Sequence, residues 1–260
     1  MNKMAQIREQ KIGTNEVGIW WIGQAGYIVK TSKKIICIDP YLSDSARQIS
    51  EDFARMVPAP ILSEELACDL FLCTHNHLDH ADPVTIKGIR NKDAITFIGP
   101  RTTFETFLQS GVKKNSFVRL DVGEEKEFSG IKIKGTFCIP NEEAVLDSEG
   151  FILFLDNNIN LYFTGDTDYT RFLEYVADYQ IDIMFTCING KYGNMNINDS
   201  IKLVEKIKPK IVVPNHYGMF ACNDADPYEF KSKAPHLNSL ILNLGEPYLY
   251  RKDKGLLNNP

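Results

Sequence analysis

The stretch Thr74-His75-Asn76-His77-Leu78-Asp79-His80 follows directly on the apolar run Leu70-Phe71-Leu72-Cys73 and brings three imidazoles and a carboxylate together within six residues. The whole chain has five histidines, so three in this one place are not a random scatter. In an extended segment side chains alternate in direction. His75 and His77 are therefore expected to point into one pocket, and a turn at Leu78-Asp79 sends Asp79 and His80 to a neighbouring one. Two adjacent metal positions follow. Neutral imidazole and carboxylate suit zinc, manganese or iron, whereas a thiolate-built site would place cysteines at this spacing. The simpler alternative is a polar loop with incidental histidines, but polar clusters delivered at a strand end usually carry function.

The same arrangement, an apolar strand followed by a polar residue, recurs along the chain. Gly18-Ile19-Trp20-Trp21-Ile22, Gly26-Tyr27-Ile28-Val29-Lys30 and Lys34-Ile35-Ile36-Cys37-Ile38 read as a β-meander that ends at Asp39-Pro40. Asp39 is either an active-site carboxylate or a turn residue before proline. Phe151–Leu155 and Ile159–Phe163 are joined by Asp156-Asn157-Asn158, a hairpin signal, and the second strand delivers Gly165-Asp166. Ile181–Phe185 runs into the amide- and glycine-rich loop 189–196, and Lys210–Val213 leads through Pro214-Asn215 to His216. Packed sheets that carry their polar residues at one end would bring these positions together.

Between the strands, Pro83–Arg90, Arg101–Ser110 and Asp199–Ile207 read as helices, the second closed by Gly111 in the C′ position. Leu42–Glu65 is a long, weakly periodic connection broken by Pro58 and Pro60, more in keeping with a lid or binding loop than with filler. Arg47 and Arg55 lie on it, placed either for solvent or for an anionic substrate.

Composition bounds the rest. At 260 residues, 43% hydrophobic and 24% charged, the chain reads as one globular domain spanning 1–260. A net charge of −5 argues against a broad phosphate-tracking surface and so against a nucleic-acid partner. Met1–Lys11 lacks the apolar core of a secretory signal, and no apolar stretch reaches the roughly 20 residues that cross a bilayer, so a cytoplasmic protein without a membrane partner is expected. Cys37, Cys68, Cys73, Cys138, Cys187 and Cys222 form no CxxC pair and are read as reduced rather than as a disulfide framework. Homo-oligomerisation is left open.

Taken together, the His75–His80 stretch, Gly165-Asp166 after a hairpin and His216 after a late strand resemble the metallo-β-lactamase superfamily. Trp21-Ile22-Gly23-Gln24-Ala25-Gly26, Thr164-Gly165-Asp166-Thr167 and Ile188–Asn196 are most similar to the branch that includes ascorbate-6-phosphate lactonase. The resemblance implies a four-layer αββα sandwich of mixed α/β class with one or two divalent ions, zinc or manganese, at one edge. It implies His75 and His77 on the first position, Asp79, His80 and His216 on the second, and Asp166 bridging. A metal lowers the pKa of bound water and polarises an electrophile, so hydrolysis is the natural reaction, here of a small anionic lactone or ester.

Further roles follow less directly. Asp79 and Tyr217 are the candidate catalytic side chains, Tyr217 being either a donor to substrate or a packed aromatic. Lys191, Tyr192 and Asn194 are candidates for substrate binding, unless their loop is simply held by its own amides. His236 reads as a surface histidine. One departure from the family pattern stands out. The superfamily supplies another histidine between Cys138 and Gly150, and Asn141 stands in that place, with Glu142 or Asp147 as substitutes. An amide oxygen is a weak, hard ligand, so unequal metal positions are expected. A phosphodiesterase or nuclease, or a non-catalytic binding protein, are the alternative functions.

Overall fold

The computed structural model describes residues 1–139 and 146–257. The apolar alternation of the first third builds β1 (Glu16–Gly23), β2 (Gly26–Lys30) and β3 (Ile35–Ile38), an antiparallel meander as expected. β4 (Leu70–Leu72), β5 (Thr96–Gly99) and β6 (Phe117–Arg119) extend it in parallel. β7 (Glu125–Phe128), β8 (Ile131–Phe137), β9 (Glu149–Phe154), β10 (Asn160–Phe163), β11 (Ile183–Cys187) and β12 (Ile211–Asn215) form a second sheet, parallel across β10, β11 and β12. The last strands, β13 (Tyr248–Arg251) and β14 (Gly255–Leu256), return to the first sheet beside β1.

Period-two burial explains the layering. Ile19, Trp21, Tyr27, Val29, Ile36 and Ile38 of the first sheet join the core shared with the second sheet. Their neighbours Trp20, Ile22, Ile28 and Cys37 face the other way, into a separate core. Tyr27 meets Phe163 and Phe185 across the sheet interface at 5.6 and 4.6 Å between ring centroids. On the outer face lie α1 (Lys3–Glu9), α2 (Pro83–Gly88) and α3 (Arg101–Gln109), contributing Met4, Ile7, Ile86 and Phe107. On the far side α4 (Ile197–Ile207) packs on β11 and α5 (Pro227–Lys233) on β12. The result is the expected four-layer αββα sandwich. α4 begins two residues earlier than its apolar spacing suggests, because the Asn196 side chain accepts from the Asn198 and Asp199 N–H groups.

β12 lies at the margin of its sheet, yet its open side is taken. Val212 N–H donates to the Asn238 carbonyl (3.0 Å) and Leu240 N–H to the Val212 carbonyl (2.8 Å). α1, read from sequence only as a mixed polar and apolar segment, forms because Asn2 caps Ala5 N–H and the outer core takes up Met4 and Ile7. None of the six cysteines is paired, as expected. Among the described residues no helix is long and apolar enough to cross a membrane.

Glu149 opens β9 with both carboxylate oxygens buried and without hydrogen-bond partners. Gly135 makes the room, since a Cβ there would collide with Glu149 Oε2. Burial, then repulsion from Asp121, Asp147 and Glu124, outweighs the pull of Lys126 and holds the carboxyl well above its ordinary 4.5. The unfolded chain ionises first as pH rises, so the stability this group allows is full below the unfolded value and is lost between that value and the higher folded one. The Glu149→Gln variant removes this loss. Its stability advantage over the natural chain should widen as pH rises above the ordinary carboxylate value. Denaturant midpoints across that rise check it, and a constant difference would refute it.

Candidate metal centre

The parallel strands deliver their C-terminal ends to one edge of the sandwich. Asp39 follows β3, His75 to His80 follow β4, Asp166 follows β10, Asn189 follows β11 and His216 follows β12. Gln24, Asp39, Tyr192 and His216 all hold positive φ, at 54°, 44°, 53° and 62°. Such conformations are costly for non-glycine residues and collect where the surrounding structure enforces a site.

The turn expected at Leu78-Asp79 is present, but residues 74–77 are bent rather than extended. The turn spans 78–80, with the N–H groups of His80 and Ala81 both donating to the His77 carbonyl at 3.1 and 2.8 Å. This turn carries His80 back beside His75, with ring centroids 4.0 Å apart. The expected separation of His80 from His75 is therefore corrected. Ligand atoms of His75, His80 and Asp166 lie within 4.8 Å of one another, and so do those of Asp79, His80 and His216, so that His80 is common to both groups. His77 Nδ1 stands 2.9 Å from His75 Nε2.

Behind these groups Asp39 organises two rings. Its Oδ1 accepts from Thr74 N–H (2.8 Å), and its Oδ2 accepts from the Thr74 hydroxyl (2.8 Å) and from His80 Nδ1 (2.9 Å). Because the Thr74 hydroxyl proton goes to Asp39, its oxygen is left to accept from His75 Nδ1 at 3.0 Å. Assigned from these partners, both rings carry a proton on Nδ1 and turn Nε2 inward, that of His75 towards His77 Nδ1. On the opposite side Gln24 Nε2 donates to Asp79 Oδ2 (2.9 Å) and lies 3.2 Å from the His216 ring nitrogens. Asn194 Nδ2 donates to Asp166 Oδ2 (2.9 Å), whose other near neighbour is His216 Nε2 at 3.0 Å.

The electrostatics favour positive charge at the centre. Burial opposes a proton on His80, yet Asp166, Asp39 and Asp79 outweigh it and raise the imidazole well above its ordinary value. His216 is raised the same way, with Asp166 and Asp79 overcoming burial. Burial would lift Asp166, but His216 and His80 pull it well down. His75 is lowered by burial and by the neighbouring His80. One atom tests whether a metal fits. His80 Nε2 is buried with no hydrogen-bond partner, 3.4 Å from Asp166 Oδ1 and 3.8 Å from Asp79 Oδ2. A partnerless buried ring nitrogen is costly, and a cation beside two carboxylates satisfies it. Nitrogen and carboxylate oxygen donors suit a divalent transition ion.

Other expected residues fall in different places. Tyr192 lines the cleft above the centre, and Asn194 reaches Asp166 rather than open space. Lys191 Nζ instead donates to the Cys222 carbonyl at 2.8 Å. Tyr217 is buried against Trp21, 5.0 Å between ring centroids, and is not among the residues lining the cleft. Asp147 is engaged as the cap of α3, accepting from Thr102 N–H and hydroxyl. Asn141 and Glu142 lie outside the described residues. Arg47 pairs with Glu51, Arg55 donates to the Tyr41 and Val57 carbonyls, and His236 meets Glu205 on the surface. Sequence reasoning missed Gln24 as a functional group. Its signal was a polar side chain in the tight Gly23-Gln24-Ala25-Gly26 turn.

The family model of the beta-lactamase superfamily domain matches residues 18–216. A UPF0173 metal-dependent hydrolase of Archaeoglobus fulgidus is 28% identical, over 90% of this chain and 99% of that protein. One from Thermoplasma acidophilum is 30% identical, over 86% and 93%. Among solved structures Igni18, a metallo hydrolase of Ignicoccus hospitalis, superposes with a TM-score of 0.74 at 22% identity, covering 91% of this chain and 99% of its own.

Proposed function

Since the chain belongs to the metallo-β-lactamase superfamily and to its metal-dependent hydrolases, we propose that it hydrolyses a small ester or lactone, with His75, His77, Asp79, His80, Asp166 and His216 holding one or two zinc or manganese ions. The observation that carries this reading is the partnerless His80 Nε2, buried among two carboxylates and two further imidazoles at the base of the cleft. A divalent ion bound there polarises a carbonyl and makes water acidic enough to attack near neutrality.

The chain's own groups do the rest. Asp79 lines the cleft with Oδ2 fixed by Gln24, which places the carboxylate to take a proton from attacking water. Asn194 holds Asp166, and Asp39 holds His80 directly and His75 through Thr74, so the centre is rigid before substrate arrives. The lactone side of the reading draws on the similarity of the 21–26, 164–167 and 188–196 stretches to the lactonase branch.

The test is protein purified without chelator and assayed on matched lactone, ester, thioester and phosphodiester substrates. Lactone or ester hydrolysis should fall to background after chelation and return with zinc or manganese. Hydrolysis that survives removal of metal, or cleavage of the phosphodiester alone, would refute the reading.

A further inference from the structure

The cleft above the centre has a volume of about 470 Å³, within the range of small-molecule sites. Its floor is polar, but its walls are Ile49, Phe53, Leu78, Tyr192 and Phe220. Among the described residues none of those lining it is a lysine or arginine. The cations nearest in sequence to the walls are engaged elsewhere. Arg47 is held by Glu51 at 2.8 Å, and the Arg55 guanidinium donates to the Tyr41 carbonyl (2.7 Å) and stacks over the Tyr41 ring; its Nη2 is buried without a hydrogen-bond partner among the described residues, but Arg55 does not line the cleft. Lys191 donates to the Cys222 carbonyl. An anionic group on the far part of a substrate would lose its water without gaining a partner, which is costly.

The walls offer the opposite chemistry. Phe53 stands 5.6 Å from Phe220 at 78° and 5.9 Å from Tyr192, an angled aromatic arrangement against which another ring or a branched alkyl group can pack. Ile49 at 64% and Tyr192 at 51% exposure leave large apolar surface at the mouth. Exposed apolar patches at a cleft mark contact surfaces. We propose that this cleft selects substrates whose non-reacting part is an uncharged apolar group, aromatic or branched alkyl, packed against Phe53, Tyr192 and Phe220. This replaces the anionic substrate expected from sequence, and it rests on the hydrolytic reading only for turnover, not for binding.

Two hydroxamic acids that share one metal-binding end separate the possibilities: 3-phenylpropanohydroxamic acid and the monohydroxamate of succinic acid, measured by calorimetry on zinc-loaded protein. The phenyl compound should bind at least about tenfold tighter, the preference that burying its ring allows. Ile49→Lys, at an exposed position that folding does not depend on, should narrow the ratio about fivefold or more by adding a cation at the mouth, and Phe53→Ala should narrow it by removing the ring's neighbour. Equal or reversed binding, or no binding of the phenyl compound, would overturn the inference. Phenyl- and carboxylate-bearing γ-butyrolactones supply the turnover arm. If neither is hydrolysed while the binding order holds, the hydrolytic reading fails and this one stands. If both are hydrolysed without preference for phenyl, the reverse is true.

Discussion

His80→Ala should abolish both metal binding and hydrolysis. His80 is the one side chain common to both ligand groups, and its Nε2 lies between Asp79 and Asp166. Partners standing behind a ligand are worth about 10–100-fold in affinity or activity, so loss of the shared ligand itself should exceed that. Metal content after dialysis, read beside kcat/KM, checks the result, and unchanged stoichiometry would remove the assignment. His77→Ala should also lose high-affinity binding, but His77 belongs to neither group, so both the His75, His80 and Asp166 group and the Asp79, His80 and His216 group stay intact. Residual weak metal content is therefore the expected difference between the two variants.

The second large effect is at a residue that touches no metal. Asp39→Asn keeps the side-chain shape, and asparagine tolerates the left-handed backbone at φ 44°. The amide carries no charge, and its NH₂ group cannot accept the bonds that both Asp39 oxygens now take from Thr74 and His80. With His80 no longer anchored through Nδ1, metal affinity should fall about 10–100-fold while the thermal transition moves little. Asp39→Ala should in addition lose about 1–3 kcal/mol of stability, because Thr74 N–H is left buried without an acceptor. A wild-type affinity in Asp39→Asn would show that the carboxylate only shapes a turn.

The gathering of the candidate residues at one place was legible in sequence for a physical reason. Each of His75, Asp166 and His216 comes at the exit of an apolar run, and parallel pairing of those runs forces their exits to one edge. What sequence could not give is direction at the level of the side chain. Asp39 stood evenly between turn residue and functional carboxylate, and its contacts with Thr74 and His80 could not be read from the chain. A turn at Leu78-Asp79 was expected, but not that two hydrogen bonds to the His77 carbonyl would carry His80 back beside His75. Lys191 was read as either an anion contact or part of a loop held by its own amides, and a charge beside an amide-rich loop says nothing about where a flexible stem reaches, here the Cys222 carbonyl. The 42–65 connection was read as a lid or binding loop, and Ala46, Ile49 and Phe53 do line the cleft, but the aromatic wall needs Phe220 from a part of the chain no local pattern connects to it.

The strand that precedes His216 has a further property. A bare sheet margin is a template on which a strand from another molecule can add, and an added strand pulls its host into a new twist and register. Here the backbone of Asn238 and Leu240 occupies that template along Val212, only four residues before the histidine. The 238–240 segment thus acts as a guard rail. It keeps neighbouring molecules from docking edge to edge and so shields the alignment of a ligand that sits at the very border of the sheet.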